Sequence, residues 1–137
     1  MDNTIEEMIE RHEGCSAVPY VDSLGYQTIG IGHNLQKPLS MQAIKAIFKD
    51  DLNETINDCL HAFPWFTELS KYRQWVYLDM CFNLGLAKFQ GFKKFHASVE
   101  RGDYETAATE MLDSLWRKQV KGRALELAAL MRGTAEV

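Results

Sequence analysis

The chain begins with a stretch whose apolar positions follow a helical period. Apolar residues recur three and four positions apart there, as they do on one face of a helix. Thr4 and Glu7 form the Thr-x-x-Glu pattern that is typical of a helix N-terminus. Gly14 is the kind of residue that commonly follows the last helical position. The pattern therefore predicts a first helix that ends at Glu13.

The next residues change to the alternation expected of β-strands. The runs 17–21 and 26–32 are β-type, and a turn sequence at 22–25 separates them. A small antiparallel hairpin is the expected structure. Gly30 and Gly32 leave one face of its second strand almost without side chains, which would let a backbone or a ligand approach closely.

From about residue 40 the helical period returns and persists to the end of the chain. A helix at 70–83 is apolar on nearly every side, which indicates a position at the centre of a domain. The remaining predicted helices are 40–61 with Ser40 as its N-cap, a short one after Gly91 and Phe92, one capped by Asp103, and 122–131. The sequence thus predicts an α+β fold over residues 1–137 as a single domain. An N-terminal helix and a small antiparallel sheet would lie beside a predominantly helical lobe, with a cleft between them.

Composition limits the classes of function. With 46% hydrophobic residues in 137, the chain can bury a core, and no apolar run approaches the roughly 20 residues that cross a membrane. The N-terminus is acidic and lacks a secretory signal pattern, so we expect a cytoplasmic protein. The three cysteines predict neither a disulfide framework nor a zinc site. Net charge −4 argues against nucleic-acid binding, although residues 71–137 carry an excess of positive charge.

Three polar residues near the start of the chain are candidates for catalysis. Glu13 is a carboxyl at a helix end, Asp22 is a carboxyl at a turn, and Thr28 is a hydroxyl on a strand. Together they could protonate a leaving group and aim a water molecule at the opposite face of a sugar. Taken singly, each is better interpreted as an ordinary polar residue at a break in structure, but the three together, at this spacing, favour a catalytic site.

The spacing of these residues resembles that of the phage-type lysozymes, glycoside hydrolase family 24. Glu13, Asp22 and Thr28 are followed by Ile-Gly-Ile-Gly-His at 29–33, and that combination is specific. Other landmarks occur in the family's order: Phe82-Asn83-Leu84-Gly85, Gly91-Phe92, Trp116, Arg123-Ala124 and Arg132-Gly133-Thr134. The resemblance covers roughly the whole chain.

The resemblance implies hydrolysis of the β-1,4 bond between N-acetylmuramic acid and N-acetylglucosamine in bacterial peptidoglycan. Glu13 would be the general acid, because the negative end of the helix dipole favours a protonated carboxyl. Asp22 would stay ionised and, with Thr28, would position the attacking water. A water held between enzyme and sugar predicts inversion, with carboxyls about 6.5–9.5 Å apart.

The same resemblance implies further site residues. Positions that match residues lining the family's cleft are Gly30, Gly32, Phe82, Asn83 and, at the edge of the helical lobe, Trp116. Arg123 matches an arginine that lies against the catalytic Glu13, and His33 matches a histidine paired with an aspartate at Asp51. Core packing is the alternative for the two aromatic residues, and a solvated position is the alternative for Arg123. No metal ion or cofactor is expected.

The biological role implied by the resemblance is that of an endolysin. Such an enzyme would wait as a monomer in the host cytoplasm and would need a holin or another lesion to reach the periplasm and the cell wall. Its partner would be the glycan strands of peptidoglycan, and we expect neither nucleic-acid binding nor stable insertion into a membrane. Two features depart from the family: the acidic net charge, and Val120 and Lys121 in place of more polar or proline-containing sequence.

Two other classes of function remain as alternatives. A wall-binding or scaffold domain could retain the lysozyme fold without lytic activity, although all three candidate catalytic residues are present. A helical nucleic-acid module is the other, suggested by the positive charge of the second half. The acidic total and the lack of a basic-aromatic stripe argue against it.

Overall fold

The computed structural model describes residues 1–134 and confirms the α+β fold. Residues 135–137, which the single-domain prediction includes, lie outside the described residues. The chain divides into two compact units, Met1–Lys45 and the residues from Ala46 onward. Among the described residues, no helix combines the length and apolar character needed to cross a membrane.

The first unit begins with the predicted helix, α1 (Ile5–Glu13). The Thr4 side chain accepts a hydrogen bond from the Glu7 backbone N–H at 3.1 Å, which satisfies one of the free donors of the first turn. Gly14 ends the helix with φ +75, a backbone conformation that glycine adopts easily. Both ends of α1 are therefore fixed by local sequence, as predicted.

The sheet of the first unit has three strands, where the sequence predicted two. Strands β1 (Ser16–Val21), β2 (Gln27–Gly30) and β3 (His33–Asn34) pair antiparallel in that order. The predicted second strand, 26–32, is wrong at its end, because Gly30 and Gly32 both have φ +68 and turn the chain back. The two residues after this turn then form β3 against β2.

The second unit is helical. Helix α2 (Met41–Ala62) leads into it, and Ser40 caps the start of α2 by accepting the Ala43 N–H at 3.1 Å, as predicted. After the short 3-10 helix Phe66–Glu68, the helices are α3 (Lys71–Leu84), α4 (Leu86–Gln90), α5 (Lys93–Glu100), α6 (Tyr104–Asp113) and α7 (Leu115–Arg132). The sequence did not predict α4, and it predicted only the second half of α7, which is kinked at Lys121.

Helix α3 supplies the centre of the core of this unit. Val76, Tyr77 and Met80 are fully buried, as the apolar pattern of 70–83 predicted. Phe89 and Phe95 are also buried and lie with Tyr77 in a cluster of aromatic rings. Burial of each such large side chain stabilises the fold by about 1.5–3 kcal/mol.

A chain of hydrogen bonds runs through that aromatic cluster. The Trp65 indole donates to the Tyr77 hydroxyl at 3.0 Å, and the hydroxyl lies 3.0 Å from Nδ1 of His96. Nε2 of His96 lies 2.7 Å from the Phe89 carbonyl oxygen. Because a carbonyl only accepts, Nε2 carries the proton, so in the neutral ring Nδ1 accepts from Tyr77. Burial lowers the pKa of His96 below its usual 6.5, which favours that neutral form.

Candidate active site

Glu13 is the last residue of α1, and its side chain is exposed beside the turn between β2 and β3. A Cβ atom built on Gly32 would lie 2.8 Å from Oε2 of Glu13. The structure thus brings together two residues that the sequence analysis placed in the site for different reasons.

Asp22 is half-buried at the turn that follows β1. Its Oδ1 accepts hydrogen bonds from the backbone N–H groups of Leu24 and Tyr26, each at 2.9 Å. Its own backbone N–H donates to the Tyr26 carbonyl at 2.9 Å. One carboxylate oxygen therefore fixes the turn, while Oδ2 makes no hydrogen bond to a described residue.

Thr28 lies on the central strand β2, opposite Tyr20 on β1 and Asn34 on β3. Its side chain is 2% exposed, and its hydroxyl donates to the Tyr26 carbonyl at 2.9 Å. Since the hydroxyl proton is used in this bond, the oxygen's remaining capacity is as an acceptor. Tyr26 thus links Asp22 and Thr28 through its backbone, a connection that the sequence did not predict.

His33 is the first residue of β3, the strand that follows β2, and it is half-buried. Its Nε2 is buried and has no hydrogen-bond partner within the described part of the chain. The predicted ion pair with Asp51 would join the two units and stays a prediction. Gly30 lies at the end of β2, and the space where a side chain would project from it is open.

In the second unit, two predicted site residues are joined directly. The Trp116 indole N–H donates to Oδ1 of Asn83 at 2.8 Å. Trp116 is 3% exposed and Asn83 is exposed at the end of α3. The bond orients the Asn83 side chain, because its oxygen is held and its NH₂ group is left as a donor.

Arg123 has a partner within the second unit that the sequence analysis missed. Its Nε donates to Oδ1 of Asp79 at 2.6 Å, and both side chains are about 40% exposed. Asp79 could have been noticed as the one acidic residue in the apolar run 70–83. The predicted contact of Arg123 with Glu13 would join the two units and stays a prediction.

Phe82 forms part of an apolar groove in the second unit. It is 40% exposed, and its ring meets that of Phe48 edge-on with centroids 5.8 Å apart. Asp79 and Arg123 lie on the same groove, whose volume is about 430 Å³. The Asp79–Arg123 ion pair next to aromatic rings makes a surface on which a sugar could lie.

The predicted residues thus form two groups, one in each unit. Within the described residues, no group of three or more His, Cys, Asp or Glu side chains is arranged to hold a metal ion. The first group offers the Glu13 carboxyl at a helix end, the Asp22 side chain with one oxygen that no described residue hydrogen-bonds, and the Thr28 hydroxyl, whose oxygen can accept. Those are the groups needed for acid–base cleavage of a glycosidic bond.

Comparison with known proteins agrees with this chemistry. The sequence model of the family described as Phage lysozyme matches residues 10–136. The chain is 26% identical over 157 residues to the pre-baseplate central spike protein Gp5 of Enterobacteria phage T4, a match that covers 93% of this chain and 27% of that protein.

Two further relatives are the probable T4-type lysozymes 1 and 2 of Dictyostelium discoideum. They are 24% and 23% identical to this chain over 154 residues, and each match covers 90% of this chain and 91% of the relative. The chain therefore spans about a quarter of the phage spike protein and most of each Dictyostelium protein. Because the family model matches nearly its whole length, this chain belongs to the phage lysozyme family.

Proposed function

We propose that this protein is a lysozyme that hydrolyses the β-1,4 bond between N-acetylmuramic acid and N-acetylglucosamine in peptidoglycan. Membership of the phage lysozyme family supports the class of reaction. The observation that carries the assignment of the site is the hydrogen bonding around Tyr26, which fixes Asp22 and Thr28 in the unit that also holds Glu13.

Glu13 is the general acid in this proposal. A sugar oxygen leaves poorly unless it receives a proton, and a carboxyl in the first unit must supply it. Glu13 fits because its side chain is exposed at the end of α1 and no described residue accepts or donates a hydrogen bond with it. Asp22 fits less well as the acid, since its Oδ1 accepts two backbone N–H groups, a role suited to an ionised oxygen.

Asp22 and Thr28 position the water. Oδ2 of Asp22, which makes no hydrogen bond to a described residue, can accept a hydrogen bond from one water O–H and take that proton when the water attacks. The Thr28 oxygen can accept a hydrogen bond from the other O–H, because its own proton is donated to Tyr26. A water whose two protons are both held directs a lone pair outward, toward the anomeric carbon of a bound sugar. Direct attack by that water inverts the configuration at the carbon.

Asn83 recognises substrate from the second unit. Its Oδ1 is occupied by Trp116, so its NH₂ group donates, and the carbonyl of an N-acetyl group is a fitting acceptor. Buried Trp116 then acts by orienting Asn83, while exposed Phe82 offers a ring face. Gly30 lies at the end of β2 with open space above it, which would admit a sugar.

Host lysis as an endolysin is the cellular role that we propose, with a holin giving access to the wall. The match to a phage spike protein favours a second candidate role, a wall-cutting module that acts from a virus particle. The two roles share one chemistry and differ in where the protein is found. Mass spectrometry of purified virus particles separates them, because an endolysin is absent from the particle.

Digestion of purified peptidoglycan tests the chemistry. We expect muropeptides with new reducing ends on N-acetylmuramic acid and, at early times, the α-anomer. Glu13→Gln should lower the rate by about 10²–10⁴-fold, while Glu10→Gln, an exposed glutamate on the same helix, should leave it unchanged. Robust activity of Glu13→Gln refutes the acid, a β-anomer refutes inversion, and binding without new reducing ends favours a non-lytic wall-binding domain.

A further inference from the structure

Gly32 lies unusually close to Glu13. A Cβ atom at position 32 would be 2.8 Å from Oε2, 2.9 Å from Cδ and 3.0 Å from Cγ of that side chain. Gly30 has the same φ of +68, yet no atom of residues 1–134 lies within 4 Å of its Cβ position. Backbone conformation explains the glycine at both positions, but the closeness to Glu13 is particular to position 32.

A side chain at position 32 would displace Glu13 more readily than it would displace the sheet. The three atoms nearest to that Cβ position all belong to one exposed, flexible side chain, and none of the three belongs to the backbone. Rotation of the Glu13 side chain would relieve the contact at little cost to folding. The carboxyl would then occupy a different place, and a misplacement of about 1 Å can lower a rate about 100-fold.

We propose that Gly32 is a positioning residue for the general acid. Its missing side chain leaves the space beside the β2–β3 turn in which the Glu13 carboxyl lies. This role differs from the contact with substrate that the resemblance implied for Gly32. It rests on the proposed function for the consequence in catalysis, while the position of Glu13 is measurable without any activity.

Gly32→Ala tests the role, with Gly102→Ala as its matched control. Gly102, between α5 and α6, also has a positive φ, +79, and no atom of the described residues lies within 4 Å of its Cβ position, so its replacement adds backbone strain alone. Both variants should fold and should lose comparable thermal stability. Gly32→Ala should lose about 100-fold in kcat, and Gly102→Ala should stay within about twofold of the original protein once each rate is corrected for the folded fraction.

The split between kcat and KM separates positioning of Glu13 from contact with substrate. A misplaced general acid lowers kcat, so Gly32→Ala should lose kcat with little change in KM, and Gly102→Ala should change neither. A raised KM with an unchanged kcat would instead mean contact with substrate and would overturn the proposal.

Carbon-13 NMR of labelled glutamate side chains gives a readout that is independent of activity. The Glu13 carboxyl signal should shift in Gly32→Ala and stay in place in Gly102→Ala. If the original protein releases no reducing ends, the proposed function fails while this measurement still decides the position of Glu13. If Gly32→Ala is less stable than Gly102→Ala, adding Glu13→Ala to Gly32→Ala should remove the difference. A difference that persists would overturn the proposal.

Discussion

The two units differ in what holds their structure. In Met1–Lys45, which is described throughout, Thr28 is the one buried residue, and the elements are fixed by a capped helix, an aspartate turn and glycines with positive φ. In the unit from Ala46 onward, a core of aromatic and aliphatic side chains lies around Tyr77 and Phe89. The proposed catalytic groups are thus placed by backbone geometry, and the apolar packing is concentrated elsewhere.

This difference separates activity from stability. Polar changes in the first unit remove few buried contacts, so they should act mainly on the rate. Changes in the aromatic core of the second unit remove buried packing or buried hydrogen bonds, which cost free energy of unfolding directly.

Of the changes that compare the two units, Asp22→Asn should have the largest effect, and that effect is on activity. The asparagine oxygen can still accept the N–H groups of Leu24 and Tyr26, so the turn is retained. The negative charge is lost, and with it the stabilisation of positive charge on the sugar and the acceptor for a water proton. We expect a rate about 10²–10³-fold lower with an almost unchanged Tm, measured by release of reducing ends and by thermal unfolding.

Asp22→Ala is the companion variant. It removes both the charge and the acceptor of the turn, so it should match Asp22→Asn in rate and fall below it in Tm. A large loss of Tm in Asp22→Asn itself would show that the first unit depends on this charge for folding. That result would contradict the expectation that polar changes in the first unit act mainly on the rate.

Tyr77→Phe should have the largest effect on stability at unchanged activity per folded molecule. The change removes the hydroxyl that joins Trp65 to His96. The indole N–H of Trp65 and Nδ1 of His96 then lose that hydrogen-bond partner. A buried group without its hydrogen bond costs about 1–3 kcal/mol. Urea unfolding measures it, and Tyr72→Phe serves as control because Tyr72 is only half-buried. Equal stability of the two variants would contradict the importance of the network.

A smaller effect is expected from pH. Burial lowers the pKa of His96 from its usual 6.5, so the unfolded chain binds this proton more readily than the folded one. The contribution of neutral His96 to stability is therefore complete above about pH 6.5 and is lost as pH falls through the lower, folded value. The free energy of unfolding should decline from pH 7 toward pH 5.

His96→Gln should flatten that decline, since the side chain no longer titrates. His61→Gln is the control, because His61 is exposed at the end of α2. The same slope in His96→Gln as in the original protein would assign the pH dependence to other groups.

Local signals in the sequence were sufficient for most of the elements. Thr4, Ser40 and Asp103 each cap a helix with their own side chain, which is why those helix starts were predicted. Glu13, Asp22 and Thr28 were predicted as catalytic because they fall within one short stretch of characteristic spacing, and that assignment stays a prediction. The strand β3 was missed because its two residues carry no periodicity.

Contacts between distant parts of the sequence could not be predicted in the same way. Asp79 and Arg123 lie 44 residues apart, and Asn83 and Trp116 lie 33 apart. Such pairs depend on how α3 and α7 pack, which no local pattern specifies. The closeness of Gly32 to Glu13 is of the same kind, because it arises from the turn that the sequence interpreted as a continuing strand.

The hydrogen bonds of the aromatic cluster have a consequence for how sequences of this kind diverge. Trp65 only donates and the Phe89 carbonyl only accepts, so the chain of bonds through Tyr77 and His96 has a single direction. Trp65 can be replaced alone, because Tyr77 then still donates to His96. Tyr77 and His96 depend on each other, so related sequences that lose one should have lost the other as well, in exchange for two apolar residues of matching volume.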